Sequence, residues 1–334
     1  MKLEKRLKLH MKNAEKVFAE ASNFLVRCQI IEPYVEKGTL YGCVCPWEIV
    51  QSAEENALPI LEDFHDTLEA IWVWTHYAKI SGREEYKPNI EWAWNYTAKN
   101  WKRFISQKPL HADKCLYDCA HLLNAGTFYE KVFQDEKMRP LIETAGNHIA
   151  DHLSRFPSPE PREYSDPFWM TTCLAYAAKH VKKPKWRETA KKYLKNQILG
   201  KEKPFSSIES EPRHRGPGGH DFFSKNANKA LALMESFPSE PRVKQMLVEN
   251  FLPTTPKGFI TRHADENAFN AHVATALGKA YKLTREAKFL ERYFAVLDEL
   301  DGRMRGGGIK RSPEFPLRES WATYFYVNAY ASVL

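Results

Sequence analysis

The stretch Asp63-Phe-His-Asp-Thr-Leu-Glu-Ala-Ile-Trp-Val-Trp-Thr-His-Tyr-Ala-Lys-Ile-Ser-Gly82 decides the fold. Phe64, Leu68, Ile71, Trp72 and Trp74 recur at helical spacing, and Ser81-Gly82 is a C-cap signal. Only a few residues separate that stop from Pro88, which suits the first turn of another helix. A turn so short forces the second helix back antiparallel along the first.

The same period runs through almost the whole chain, and strand alternation is nearly absent. The pattern predicts twelve helices, at 2–29, 61–80, 88–105, 112–133, 136–156, 165–181, 185–198, from 220, 241–251, from 265, 286–300 and from 318. Long connections rich in Gly or Pro (31–60, 200–219, 253–264, 302–317) alternate with turns of a few residues (81–86, 182–184, 238–240, 283–285). Twelve helices then make six hairpins, and no linker divides them. Even-numbered helices are apolar and rich in small residues, as at 171–178, 227–232, 271–276 and 322–331. Odd-numbered ones carry charged faces, such as Lys191, Lys192 and Lys195 or Glu291, Arg292 and Asp298. Inner even and outer odd helices give an all-α (α/α)6 toroid, one domain over 1–334. An open solenoid is the competing geometry, but the repeats it carries are not found.

Composition narrows the function. Of the 334 residues 43% are hydrophobic, enough for a full core. Nine Trp, fifteen Tyr and nineteen Phe suit a deep core or a lined cavity. The net charge, 49 − 42 = +7, is spread along the chain, and Lys-rich 182–195 has no interleaved aromatics, so no nucleic-acid partner is expected. Residues 1–16 form a charged amphipathic stretch, not a signal peptide, and no apolar run spans a bilayer, so the expected setting is cytoplasmic. Six cysteines in such a chain read as buried thiols; zinc at Cys43, Cys45, Cys115 and Cys119 is the alternative. There is no P-loop, Rossmann fingerprint, nucleophile elbow or HExxH, and no organic cofactor is expected.

If even helices are inner, their N-termini share one rim with the long loops. That rim collects Asp63, His65 and Asp66; Asp166 and Trp169; His220 and Asp221; His263 and Asp265; and Arg318, Glu319 and Trp321. N-capping accounts for about half of the carboxylates but not for five histidines (65, 111, 220, 263 and 272). Paired carboxylates on facing helices can act as general acid and base on a sugar stacked against tryptophan. Asp66 and Asp166 are the preferred catalytic pair, although Asp166-Pro167 also reads as a plain N-cap. The other rim residues are expected to bind substrate, a small molecule or oligosaccharide.

Phe64-His65-Asp66 resembles the His-Asp motif of the six-hairpin glycosidases, in particular the unsaturated glucuronyl and rhamnogalacturonyl hydrolases. Asp166-Pro-Phe-Trp-Met170 resembles their Asp-x-x-x-Met helix start, and Arg215-Gly-Pro-Gly-Gly-His220 their Arg-Gly-Asn-Gly-Trp segment. Thr67-Leu68 stands where those enzymes have Gly-Phe. That resemblance implies two aspartates hydrating an unsaturated uronic acid. Gly306-Gly-Gly-Ile309 before Glu319-Ser-Trp-Ala-Thr-Tyr324, and Lys257-Gly-Phe-Ile260, resemble the terpenoid cyclase and protein prenyltransferase toroid instead. That implies an apolar cavity lined by Trp72, Trp74, Trp321, Phe325 and Tyr326. A non-catalytic toroid binding a partner through its basic outer face is the third reading. What lines the centre separates the three.

Overall fold

The computed structural model describes residues 2–31, 40–48, 62–105, 112–155, 166–205, 222–261 and 265–334. Its helices are α1 (Leu3–Cys28), α2 (Phe64–Ser81), α3 (Lys87–Ile105), α4 (Ala112–Phe133), α5 (Arg139–Arg155) and α6 (Pro167–His180). They continue as α7 (Pro184–Leu194), α8 (Phe222–Ser236), α9 (Pro241–Met246), α10 (Glu266–Thr284), α11 (Ala287–Arg303) and α12 (Ser320–Ala331). α7 and α9 run on into π turns, Lys195–Leu199 and Leu247–Phe251. Among the described residues the single sheet is a two-residue antiparallel ladder, β1 (Ile309–Lys310) with β2 (Arg318–Glu319), in the loop before α12.

The even helices close on themselves. α2 packs on α4, and so on through α6, α8, α10 and α12, which returns to α2. A solenoid would leave α2 and α12 apart; here they touch, and the molecule is an α/α toroid. α3, α5, α7 and α11 lie outside α2, α4, α6 and α10. The sixth pair joins the ends of the chain, since α1 covers both α12 and α2. There His10 stacks on Tyr330, ring centroids 3.6 Å apart, and its Nε2–H donates to the Tyr330 carbonyl 2.9 Å away.

Burial follows the layering read from the sequence. α1 buries one stripe, Ala14, Phe18, Ala21, Leu25 and Cys28, at the three- and four-residue steps of a surface helix. α2, α10 and α12 are buried around most of their circumference. Each large apolar side chain so buried contributes about 1.5–3 kcal/mol before entropy is counted. Small residues let the inner ring contract: a Cβ on Gly278 of α10 would lie 1.9 Å from Ser332 Oγ.

Direction is set at the short turns. Gly82 (φ 70°), Gln134 (φ 56°), Lys182 (φ 52°) and Arg285 (φ 62°) adopt left-handed conformations just past α2, α4, α6 and α10. Such residues end a helix and reverse the chain. Every inner helix therefore runs the same way, and the N-termini gather at one end.

Candidate functional site

α4, α6, α8, α10 and α12 surround a pocket at that end, with about 430 Å³ of open space, mouth included. Tyr117, Trp169, Phe269, Trp321 and Phe325 wall it. Three polar residues face it, Asp166, Asn228 and His272. They form one string. Asp166 caps α6, its Oδ1 accepting from the Phe168 N–H at 2.7 Å. Its Oδ2 accepts from Asn228 Nδ2 at 2.7 Å, and Asn228 Oδ1 lies 2.5 Å from His272 Nε2. Because the amide nitrogen donates to a carboxylate, its oxygen must be the acceptor for the imidazole. The network thus places the His272 proton on Nε2 and leaves Nδ1 as the basic nitrogen.

Beside the pocket, α2 and α4 carry a stack of acids and imidazoles. Asp63 sits at the N-cap position of α2 but makes no capping bond. Its carboxylate lies 2.6 Å from His65 Nδ1, and Asp118 Oδ1 approaches the same nitrogen at 3.8 Å. Burial opposes a charge on His65, but Asp63 and Asp66 outweigh it and hold the imidazolium well above its ordinary pKa. Asp66 is 2% exposed, and burial pushes its pKa up to about 7 against the pull of His65 and of Ser320. Ser320 Oγ donates to Asp66 Oδ1 at 2.5 Å. One turn deeper, Glu69 is buried with neither oxygen hydrogen-bonded among the described residues, and burial raises its pKa strongly. His121 Nδ1 lies 3.4 Å from Glu69, and burial keeps that imidazole neutral. The Trp169 ring is flanked by His121 at 5.7 Å and His272 at 5.9 Å.

Two contacts from α12 to α4 cross in front of α2: Trp321 Nε1 donates to Tyr117 Oη at 3.4 Å, and Asn124 Nδ2 to Tyr324 Oη at 3.1 Å. Below them Trp72, His76 and Phe128 stack, with Trp72 against His76 at 4.1 Å and His76 against Phe128 at 4.3 Å. The centre is therefore filled below and open above.

The residues expected from sequence fall into three places. Asp166, Trp169 and Trp321 line the pocket. Asp63, His65 and Asp66 form the stack beside it; Asp66 is tied to α12 and Asp166 to α8. Asp265, Arg318 and Glu319 build the rim, Glu319 and Asp265 on Arg311 and Arg318 on Glu48. His220, Asp221 and His263 lie outside the described residues, as does His111. Of the aromatics expected for an isoprenoid cavity, Trp321 and Phe325 face the pocket. Trp74 turns outward to the Ser22 carbonyl and Tyr326 to Asp301, both on outer helices.

Asp118, read in sequence as a rim residue of the fourth helix, stands beside His65, whereas Glu69, Tyr117, His121 and Asn228 were not singled out in sequence as site residues. Their signal is positional: His65, Glu69 and Trp72, like Tyr117, His121 and Asn124, step by three and four along helices apolar on every other side. A polar stripe on such a helix marks a face that meets either a cavity or a polar partner on a neighbouring helix.

Asp63, His65 and Asp66 are the single group of three among the described residues whose ligand atoms could meet a metal ion, all within 4.8 Å. The imidazolium already answers the Asp63 charge there. The six cysteines are buried free thiols, and Cys43, Cys45, Cys115 and Cys119 do not gather.

No protein-family model matches the chain, and no curated protein matches it in sequence. Solved structures do match. An inactive variant of an α-1,6-mannanase of Salegentibacter sp. HEL1_6, in complex with α-1,6-mannotriose, is 11% identical with a TM-score of 0.66, covering 96% of this chain and 98% of that one. A D-mannose isomerase is 13% identical with a TM-score of 0.67, over 98% and 97%. An unsaturated glucuronyl hydrolase specific for heparin is 15% identical with a TM-score of 0.56, over 98% and 96%. At such identities the likeness establishes the six-hairpin toroid and nothing finer.

Proposed function

We propose that this chain is a carbohydrate-active enzyme, a hydrolase or lyase working by acid–base catalysis at the inner-helix N-termini. The observation that carries this reading is a buried acid that keeps its proton near neutrality, set beside an aromatic-walled pocket. Asp66, with its pKa near 7, can hand over a proton at physiological pH, as a general acid must. His272, with Nδ1 left basic by Asn228, is the matching base within the pocket. Asp166 is then a positioning residue that fixes Asn228 and lines the pocket without giving up its proton acceptors. Trp169, Trp321 and Phe269 offer faces for the apolar side of a pyranose. A tautomer-fixed imidazole and neutral acids serve a hydroxylated substrate better than a hydrocarbon.

Two of the toroids it resembles are named for hydrolysis, of α-1,6-mannan and of unsaturated glucuronides, and one for mannose isomerisation. Isomerisation of a free aldose is a second reading, favoured by the two buried imidazoles flanking Trp169. All six cysteines being free thiols favours a reducing compartment, in keeping with a cytoplasmic setting.

Incubation with mannooligosaccharides, unsaturated glucuronyl disaccharides and free aldoses, read for new reducing ends, loss of the unsaturated chromophore and ketose formation, separates these chemistries. Asp66→Asn should abolish whichever turnover is found. No turnover and no thermal shift across the whole panel would overturn the proposal.

A further inference from the structure

The end of the ring opposite the pocket carries a second feature, independent of the acid–base site. There α2, α4, α6 and α10 each place a lysine in their last turn: Lys79, Lys131, Lys179 and Lys282. A depression with about 1150 Å³ of open space, mouth included, lies between α2, α4 and α6, lined by Lys79, Lys131, Phe128, Tyr176 and Glu84 among others. The ammonium of Lys131 sits 4.2 Å from the Tyr176 ring and that of Lys79 5.6 Å from Phe128.

Lysine at a helix C-terminus often serves only to complement the helix dipole or to bond the last carbonyls. Lys282 does donate to the Leu334 carbonyl at 2.5 Å, but at α2, α4 and α6 a backbone N–H already answers one terminal carbonyl. The N–H groups of Gly82, Gln134 and Lys183 donate to Ala78, Glu130 and Ala178 at 2.9, 3.0 and 3.1 Å. The nearby acids are largely engaged as well, Glu84 by Lys87 at 2.8 Å and Glu130 by Arg139 at 2.8 Å. Glu235 favours the Lys131 charge, while Lys179 and Lys79 oppose it. Burial, with those lysines, holds Lys131 below its ordinary pKa, as burial with Lys279 and Lys79 does for Lys282. Cations crowded round a depression without matching carboxylates are what a multivalent anion would stabilise.

We propose that this depression binds a small anion bearing two or more phosphate groups, held by Lys79 and Lys131 over the Tyr176 ring. Both lysines are exposed at the mouth of this depression, so a small anion reaches them directly from solvent.

The test is calorimetric titration and thermal melting of the full chain with sodium pyrophosphate, against sodium chloride at equal ionic strength. Pyrophosphate should bind and raise Tm beyond the chloride effect. The Lys79→Met/Lys131→Met variant should bind about tenfold more weakly or worse, each charge-assisted contact being a large share of such an affinity. Its anion-free Tm should not fall, because crowding is relieved. Lys131→Arg, which keeps the charge, should retain binding and reads the site if the double variant misfolds. No shift beyond chloride, or an equal shift in the double variant, overturns the proposal. So does sedimentation with phosphatidylglycerol vesicles in the absence of pyrophosphate binding, which would mark a lipid surface instead.

Discussion

Ser320 on the last inner helix donates its hydroxyl hydrogen to Asp66 on the first, at 2.5 Å and across 254 positions of sequence. The bond joins the two helices whose contact closes the ring, and it ends on the acid given the proton-donor role above. It favours the ionised carboxylate and so moderates the rise in pKa that burial imposes.

Ser320→Ala should therefore raise the Asp66 pKa further above 7. If Asp66 is the general acid, the alkaline limb of kcat/KM moves to higher pH, by roughly one unit. A pH–rate profile of the variant on whichever substrate is turned over checks this; an unmoved limb would assign the acid role elsewhere.

Asp66 also sets a stability signature. Its pKa is raised on folding, so the folded chain holds a proton that the unfolded chain releases between roughly pH 4 and 7. The folded state binds more protons in that window, and stability falls as pH rises through it. Asp66→Asn removes this penalty, and the variant should be more stable than the parent by about 1–3 kcal/mol at pH 8, the advantage fading towards pH 4. Urea unfolding at the two pH values measures it.

Asn228 offers a test of tautomer control. Asn228→Ala breaks the string from Asp166 to His272 and leaves both buried groups short of a partner, at a cost of about 1–3 kcal/mol in stability. Asn228→Asp keeps the shape but offers only acceptors, so it favours protonated His272 and removes the base. Turnover should drop about a hundredfold or more in either variant. Nitrogen NMR of His272 should report Nε2–H in the parent and a doubly protonated ring in Asn228→Asp.

Much of this was legible beforehand. The closed ring followed from loop lengths: turns such as 182–184 leave no freedom but reversal, and small-residue stretches such as 271–276 marked the crowded inner layer. The rim was legible because N-termini of like-directed helices must share an end. What escaped was depth. Glu69 and His121 lie a full turn inside their helices, where sequence alone cannot tell a polar residue facing a cavity from one bonded to an outer helix. Nor could it see that Glu319 and Arg318, although at the rim, are taken up by Arg311 and Glu48. Arg318 and Glu48 are 270 positions apart, and the Arg311–Glu319 pair depends on a short β-hairpin that the helical pattern did not announce.

The seam between the chain ends makes the remaining prediction. His10 is 5% exposed, stacked on Tyr330 and bonded to its carbonyl, and burial lowers its pKa to about 4. The unfolded chain protonates this ring near 6.5, so between roughly pH 4 and 6.5 it is the unfolded state that binds the extra proton. Stability from this group is complete above that window and is lost as pH falls through it, by up to about 3 kcal/mol. His10→Gln keeps a donor for the Tyr330 carbonyl but cannot titrate, so its urea midpoint should change less between pH 7.5 and pH 5 than the parent's. Because α1 holds α12 against α2, the acid-induced loss in the parent should be seen first as hydrogen exchange in α1 and α12. Exchange that begins instead in α6 or α8 would place the acid-labile joint elsewhere in the ring.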